Sequence, residues 1–241
     1  MSVTKWLTLS LALNVLGLLL GAWAIDKLGG WRYLGHRLHT HDAWPAYTQR
    51  ESQLALLPID SGAVVLLGDS HVANGQWDEW LPGRQIANRG IPGAAVSHVA
   101  AFAKTLDLSQ ASAVVLQVGT NDLLFHEPPD VRDAYAGLLD QLSQQMGSLS
   151  RVIICTLPGV NDEVRWTGID AGDVAALNRD IVEEAFTSGI RPILLSRALG
   201  TTDGVLPPHL TDDGVHLRGE GYHLWASALA EALPDGTTLA D

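Results

Sequence analysis

The chain reads as a three-layer α/β domain, a parallel sheet covered by helices on both faces, with a separate apolar helix at its N-terminus. Three observations carry this reading. After Ser61-Gly62, short β-branched apolar runs alternate with longer helical stretches, the pattern of βαβ units. Several of those runs are apolar enough for strands buried on both faces. Finally, no charged residue occurs from Trp6 to Ile25.

Five strands are expected, at Ala63–Leu67 (AVVLL), Gln85–Ala87, Ala113–Val118 (AVVLQV), Arg151–Cys155 (RVIIC) and Pro192–Leu195 (PILL). Helices are expected at Ala94–Leu106, Val131–Met146, Asp173–Thr187 and Gly219–Leu233. Pro128-Pro129 and Pro207-Pro208 mark loops able to border a site. Residues 26–60 hold Gly29-Gly30, Trp31, Tyr33, Trp44 and Pro45 with no period of 2 or 3.6, and read as a lead-in to a folded domain at 61–241. His36, His39 and His41 lie in that lead-in without an acidic or cysteine cluster to complete a metal site, so no metal is expected.

Composition narrows the function classes. A chain of 241 residues, 46% hydrophobic, suits one domain with a sizeable core and a short extra segment. Fifteen Lys and Arg against 27 Asp and Glu give a net charge of −12, which repels polyphosphate and argues against nucleic acid as a partner. Solubility alone favours such a charge, so it identifies no substrate. The single cysteine, Cys155, excludes an internal disulfide and any zinc cluster of several cysteines.

Residues 1–25 hold the apolar segment WLTLSLALNVLGLLLGAWAI, and about 20 such residues cross the hydrocarbon core of a bilayer as a helix. Two readings stand side by side. As a secretory signal, Lys5 is the positive region, Leu7 to Leu20 the apolar core and Ala22-Trp23-Ala24 a cleavage site. As an uncleaved anchor, Trp6 and Trp23 sit at the two interfaces. Leucine packed all round, with no polar face, argues against a core helix. Lys27, Arg32 and Arg37 follow the segment while Lys5 precedes it, which leaves the orientation open.

Four polar blocks carry the chemistry. Gly68-Asp69-Ser70 ends the first predicted strand and places a hydroxyl at a helix start, where N–H groups favour developing negative charge. Asn88-Arg89-Gly90 follows the second, with Pro92-Gly93 close behind, and a glycine there lets an N–H approach a substrate oxygen. Gly119-Thr120-Asn121-Asp122 follows the third; the Asn121 amide is a neutral donor suited to an oxyanion, and Asp122 is expected to hold the turn. Asp213-Gly214-Val215-His216 precedes the last helix and delivers a carboxylate and an imidazole from one loop. Each block alone is equally an ordinary turn or helix cap. Together they supply a nucleophile, donors for an oxyanion, and a base with its orienting acid.

In that order, GDS, NRG, GTND and DGVH resemble the four sequence blocks of the SGNH/GDSL hydrolases, over roughly Val64 to Leu233. The resemblance implies a flavodoxin-like α/β/α fold with a parallel five-stranded sheet, and hydrolysis of carboxylic esters or thioesters through an acyl-enzyme. It assigns Ser70 as nucleophile, Asp213 and His216 as the rest of the triad, and the N–H groups of Ser70 and Gly90 with Asn121 as oxyanion donors. No cofactor is implied. His71 departs from the pattern, since many members carry leucine or another apolar residue after the serine, and a more polar rim to the site is expected from it.

Trp77, Trp80 and Trp166 are candidates for a sugar-stacking surface, whereas Trp225, in the last predicted helix, reads as core. The expected substrate is a short acyl ester, such as acetyl, on a carbohydrate of the cell envelope, with lysophospholipid or thioester hydrolysis as the alternative. The expected location is extracytoplasmic, secreted or membrane-anchored. A catalytically idle tethered binding protein would have lost Ser70, His216 or Asn121, and a nucleotide-binding relative needs a G-x-G-x-x-G loop that the sequence lacks.

Overall fold

The computed structural model describes residues 3–27, 45–124 and 126–233. The chain divides into two compact units, Met1–Thr48 and Gln49–Asp241. In the first, helix α1 (Val3–Lys27) has 25 residues, about 37 Å at the usual rise, against a hydrocarbon core of about 30 Å. From Lys5 to Trp23 its mean hydropathy is 1.7 and none of it is buried. By length and composition it is able to cross a bilayer. The three histidines of the lead-in lie outside the described residues, but its end holds an unexpected helix, α2 (Pro45–Leu54), opened by a proline whose missing N–H costs nothing in a first turn.

In the second unit the sheet is parallel, in the order β2-β1-β3-β4, with strands β1 (Val64–Gly68), β2 (Ile86–Gly90), β3 (Ala113–Gln117) and β4 (Val152–Ile154). Central β1 is buried throughout, which is why AVVLL carries no polar alternation. In register, Gly68 stands beside both Gly90 and Gln117, so the loops after β1, β2 and β3 leave the sheet at one end.

Four strands, not the expected five, make up this sheet. In the segment Pro192–Leu195 only Ile193 pairs, with Cys155. Pro192 has no N–H to offer a ladder, and Leu195 already begins helix α8 (Leu195–Ala198), which bends the chain away from the edge.

Helices cover both faces. Val64, Leu66, Ala113 and Val115 face a core of Val72 from α3 (Ser70–Asn74), Trp77 from α4 (Trp77–Trp80), Leu195 from α8, and Tyr222, Trp225 and Leu229 from α9 (Gly219–Ala232). Trp77 and Trp225 meet edge to face at 4.8 Å, the geometry that ring quadrupoles favour. Helices α5 (Val96–Ala103), α6 (Pro128–Met146) and α7 (Ala171–Thr187) pack in sequence beside one another, α5 also touching β1. Helix α6 starts three residues before the expected Val131 because Pro128-Pro129 occupies its first turn, and it stops at Gly147, whose φ is 71°.

Candidate active site

The site is built at the end of the sheet where β1 stops. Asp69 caps α3, its Oδ1 accepting the His71 N–H at 2.9 Å, and so fixes Ser70 as the first helical residue. Ser70 keeps 9% of its surface exposed. A sharp loop, 211–216, approaches it from the other side. There Asp213 Oδ1 accepts the N–H groups of Val215 (2.9 Å) and His216 (2.8 Å), while Thr211 Oγ accepts that of Gly214 (2.9 Å).

These bonds turn the His216 ring edge-on between an acid and an alcohol. Its Nδ1 lies 2.7 Å from Asp213 Oδ2 and its Nε2 lies 2.9 Å from Ser70 Oγ. Partial burial alone would raise the Asp213 carboxyl, but the hydrogen bonds from His216 and Val215 outweigh it and bring it down to about 2. An ionised Asp213 only accepts, so Nδ1 carries the proton and Nε2 presents a lone pair to the serine hydroxyl. Ser70, Asp213 and His216 thus meet, although Ser70 and His216 are 146 residues apart.

The loops after β2 and β3 leave the sheet at the same end as Ser70. Asn121 donates one amide hydrogen to Ala94 O at 3.0 Å, tying the two loops together and leaving a second hydrogen on the same nitrogen. Gly90, expected to offer its N–H to a substrate oxygen, does not: that N–H donates to Asn88 Oδ1 at 3.0 Å. Gly90 is instead a packing glycine, since a Cβ there would lie 2.3 Å from Ala73 N of α3. The N–H that the loop leaves without an acceptor among the described residues belongs to Gly93. Ile91-Pro92-Gly93-Ala94 forms a type II turn, closed by Ala94 N–H to Ile91 O at 3.1 Å, with Gly93 at φ 79°. The adjacent Pro-Gly pair was the sequence signal for it.

Asp122 holds more than its own turn. Both its oxygens accept the Val96 N–H, at 3.1 Å each, and so anchor the start of α5. Burial pushes its carboxyl up to about 6, against the pull of that N–H, with the charge of Asp69 adding to the rise.

His71 is not on the rim. It is fully buried, Nδ1 3.2 Å from Asp69 Oδ1 and Nε2 2.9 Å from Val215 O. Of the tryptophans, Trp77 and Trp225 are core and Trp80 is 37% exposed, whereas Trp166 is 81% exposed. Trp166 belongs to the segment 161–169, which is fastened to the His216 loop by Asn161 N–H to Gly214 O at 2.7 Å. Leu124, three residues beyond Asn121 and itself exposed, borders Gly168 as Trp166 does. Among the described residues no cluster of three or more His, Cys, Asp or Glu able to hold a metal occurs.

The family model for the GDSL-like Lipase/Acylhydrolase family matches residues 66–224, well over half of the chain. No curated protein matches. Among solved structures, the chain is similar to a GDSL-like lipase from Bacteroides thetaiotaomicron, at 22% identity and a TM-score of 0.63, over 78% of this chain and 96% of the other. A lipase/acylhydrolase from Enterococcus faecalis aligns at 19% identity and a TM-score of 0.60, over 70% and 94%. The acetyl xylan esterase AlAXEase aligns at 21% identity and a TM-score of 0.59, over 71% and 100%. Identities this low speak for the fold.

Proposed function

As the chain belongs to the GDSL-like lipase/acylhydrolase family, we propose that it is a serine ester hydrolase in which Ser70, His216 and Asp213 act as the triad. Ser70 Oγ attacks the ester carbonyl carbon as its proton passes to His216 Nε2. The carbonyl oxygen, now negative, is received by the N–H groups of Ser70 and Gly93 and by the free amide hydrogen of Asn121. Collapse of this intermediate breaks the bond to the alkoxy oxygen, which leaves with the proton from His216. Water then attacks the acyl-serine by the same route and releases the acid. Asp213 keeps its charge throughout and stabilises the imidazolium that forms beside it. The observation that carries this reading is the continuous chain Ser70 Oγ, His216, Asp213 at 2.9 and 2.7 Å.

The substrate in this reading is a short acyl ester, acetyl above all, on a carbohydrate of the envelope. A flat, 81% exposed Trp166 on the segment fastened to the His216 loop supports it, since indole faces stack on sugar rings. The acetyl xylan esterase among the structural neighbours points the same way. The apolar helix α1 would hold or deliver the enzyme at a membrane, as anchor or signal, with the catalytic unit outside the cytoplasm. That helix and the exposed Leu124 also favour a second reading, hydrolysis of lysophospholipids or acyl thioesters.

Two measurements test this. Wild-type protein should hydrolyse p-nitrophenyl acetate and Ser70→Ala, equally well folded, should not; activity kept by Ser70→Ala would overturn the triad. Release of acetate from an acetylated oligosaccharide should outpace release of palmitate from lysophosphatidylcholine, and the opposite order would favour the lipid reading.

A further inference from the structure

We propose that His71 is a positioning residue, a second histidine whose buried ring grips the Val215 carbonyl and thereby sets His216 against Ser70. The inference rests on the esterase reading above. His71 sits one residue after Ser70 and is fully buried, as is Asp69. Its Nδ1 meets the Asp69 carboxylate at 3.2 Å and its Nε2 meets Val215 O at 2.9 Å. A carbonyl only accepts, so Nε2 must carry a hydrogen. Nδ1 faces the Asp69 carboxylate, which the ring meets on its other side.

The consequence lies in what Val215 joins. Its peptide runs directly into His216, its N–H and that of His216 are both held by Asp213 Oδ1, and its carbonyl meets His71 Nε2 at the β1 end. Loop 211–216 is therefore clamped from both sides, by Asp213 within and by His71 across 144 residues of chain. Two acid–imidazole pairs lie back to back, with the His71 and His216 rings 5.5 Å apart at 38°. The His71 backbone is fixed in turn, its carbonyl accepting the Tyr222 hydroxyl of α9 at 2.9 Å. The ionisable groups facing the His71 ring are Asp69, Asp213 and His216. Desolvation opposes its charged form, but Asp69, the Val215 carbonyl and Asp213 together raise it. A leucine at this position would fill the space and leave Val215 unheld.

Two amides separate the roles of the two ring nitrogens. In His71→Gln the amide nitrogen stands where Nε2 stood and donates to Val215 O; in His71→Asn it stands where Nδ1 stood and reaches Asp69 only. The Gln variant should keep kcat on p-nitrophenyl acetate within about 3-fold. The Asn variant should lose about 10–100-fold in kcat with KM within 2-fold, because a base displaced by a fraction of an ångström still permits binding. The low-field proton resonance of His216 Nδ1–H should persist in the Gln variant and broaden or vanish in the Asn variant. Should His71→Asn not fold, the double variant Asp69→Asn/His71→Leu, which removes the buried charge with the ring, should show the same loss. Active wild-type enzyme with equal kcat in both amide variants, or full kcat in the double variant, overturns the inference. Wild-type protein without hydrolysis overturns the esterase reading instead, while the proton resonance still reports on the clamp.

Discussion

Replacing Gly90 by alanine should slow hydrolysis about 10²-fold by moving Ser70, the proposed nucleophile, without touching a proton or a proposed oxyanion donor. The Cβ would lie 2.3 Å from Ala73 N, 2.7 Å from Ala73 Cα and 2.8 Å from the Val72 carbonyl carbon, where ordinary contact begins near 3.4 Å. These are backbone atoms of α3, which cannot rotate aside. The helix must retreat by about 1 Å, and Ser70 is its first residue. Asn88, two residues earlier on β2, resists the retreat through its amide bonds to Val72 O (3.1 Å) and Ala73 O (3.3 Å). A shift of about 1 Å at a reacting group costs about 10²-fold, or about 2.7 kcal/mol of barrier. The overpacking itself should cost about 1–3 kcal/mol of stability. Steady-state kinetics on p-nitrophenyl acetate and a urea titration measure the two losses. A Gly90→Ala protein within 2-fold of the parent in kcat/KM and unchanged in stability would refute the packing argument.

Asn121→Ala should lower kcat about 10²–10³-fold, as loss of one oxyanion donor does; a change under 3-fold on the same ester would make Asn121 a tie to Ala94 only. Trp225→Ala, at a fully buried residue packed on Trp77 and Tyr222, should cost about 3–5 kcal/mol of folding stability, read from the urea midpoint and slope. Asp122, raised to about 6 by burial, holds its proton in the folded chain over a range where the unfolded chain has released it. Its contribution is therefore present below about pH 4 and lost as the pH climbs through about 6. Urea midpoints between pH 4 and 7 should decline more steeply in the parent than in Asp122→Asn, and parallel curves would contradict the assignment.

Much of the fold and of the candidate site is legible in the sequence, because the proposed site residues either follow apolar strands closely or share one loop. Apolar AVVLL and AVVLQV fix two buried strands, and Ser70 and Asn121 follow them within a few residues. Asp213 and His216 are three apart, so one loop delivers both. The fifth strand failed where local chemistry overrode apolar content: PILL has the hydrophobicity of a strand, but Pro192 and the turn into α8 leave Ile193 alone to pair. Gly90 and Gly93 are indistinguishable in the sequence for a different reason. Both are glycines after a strand, and only the partners of their N–H groups separate them. His71 reads from sequence as a rim residue, because nothing local shows that its ring is buried against Val215, 144 residues away.

In the proposed mechanism the imidazole of His216 activates one hydroxyl, that of Ser70. Incubation with a fluorophosphonate, followed by peptide mass analysis, tests it most directly, since only an activated serine is phosphonylated at a useful rate. One adduct on Ser70 is expected, absent in Ser70→Ala and formed at least about 10²-fold more slowly in His216→Ala. Undiminished labelling without His216, or an adduct on another serine, would contradict it.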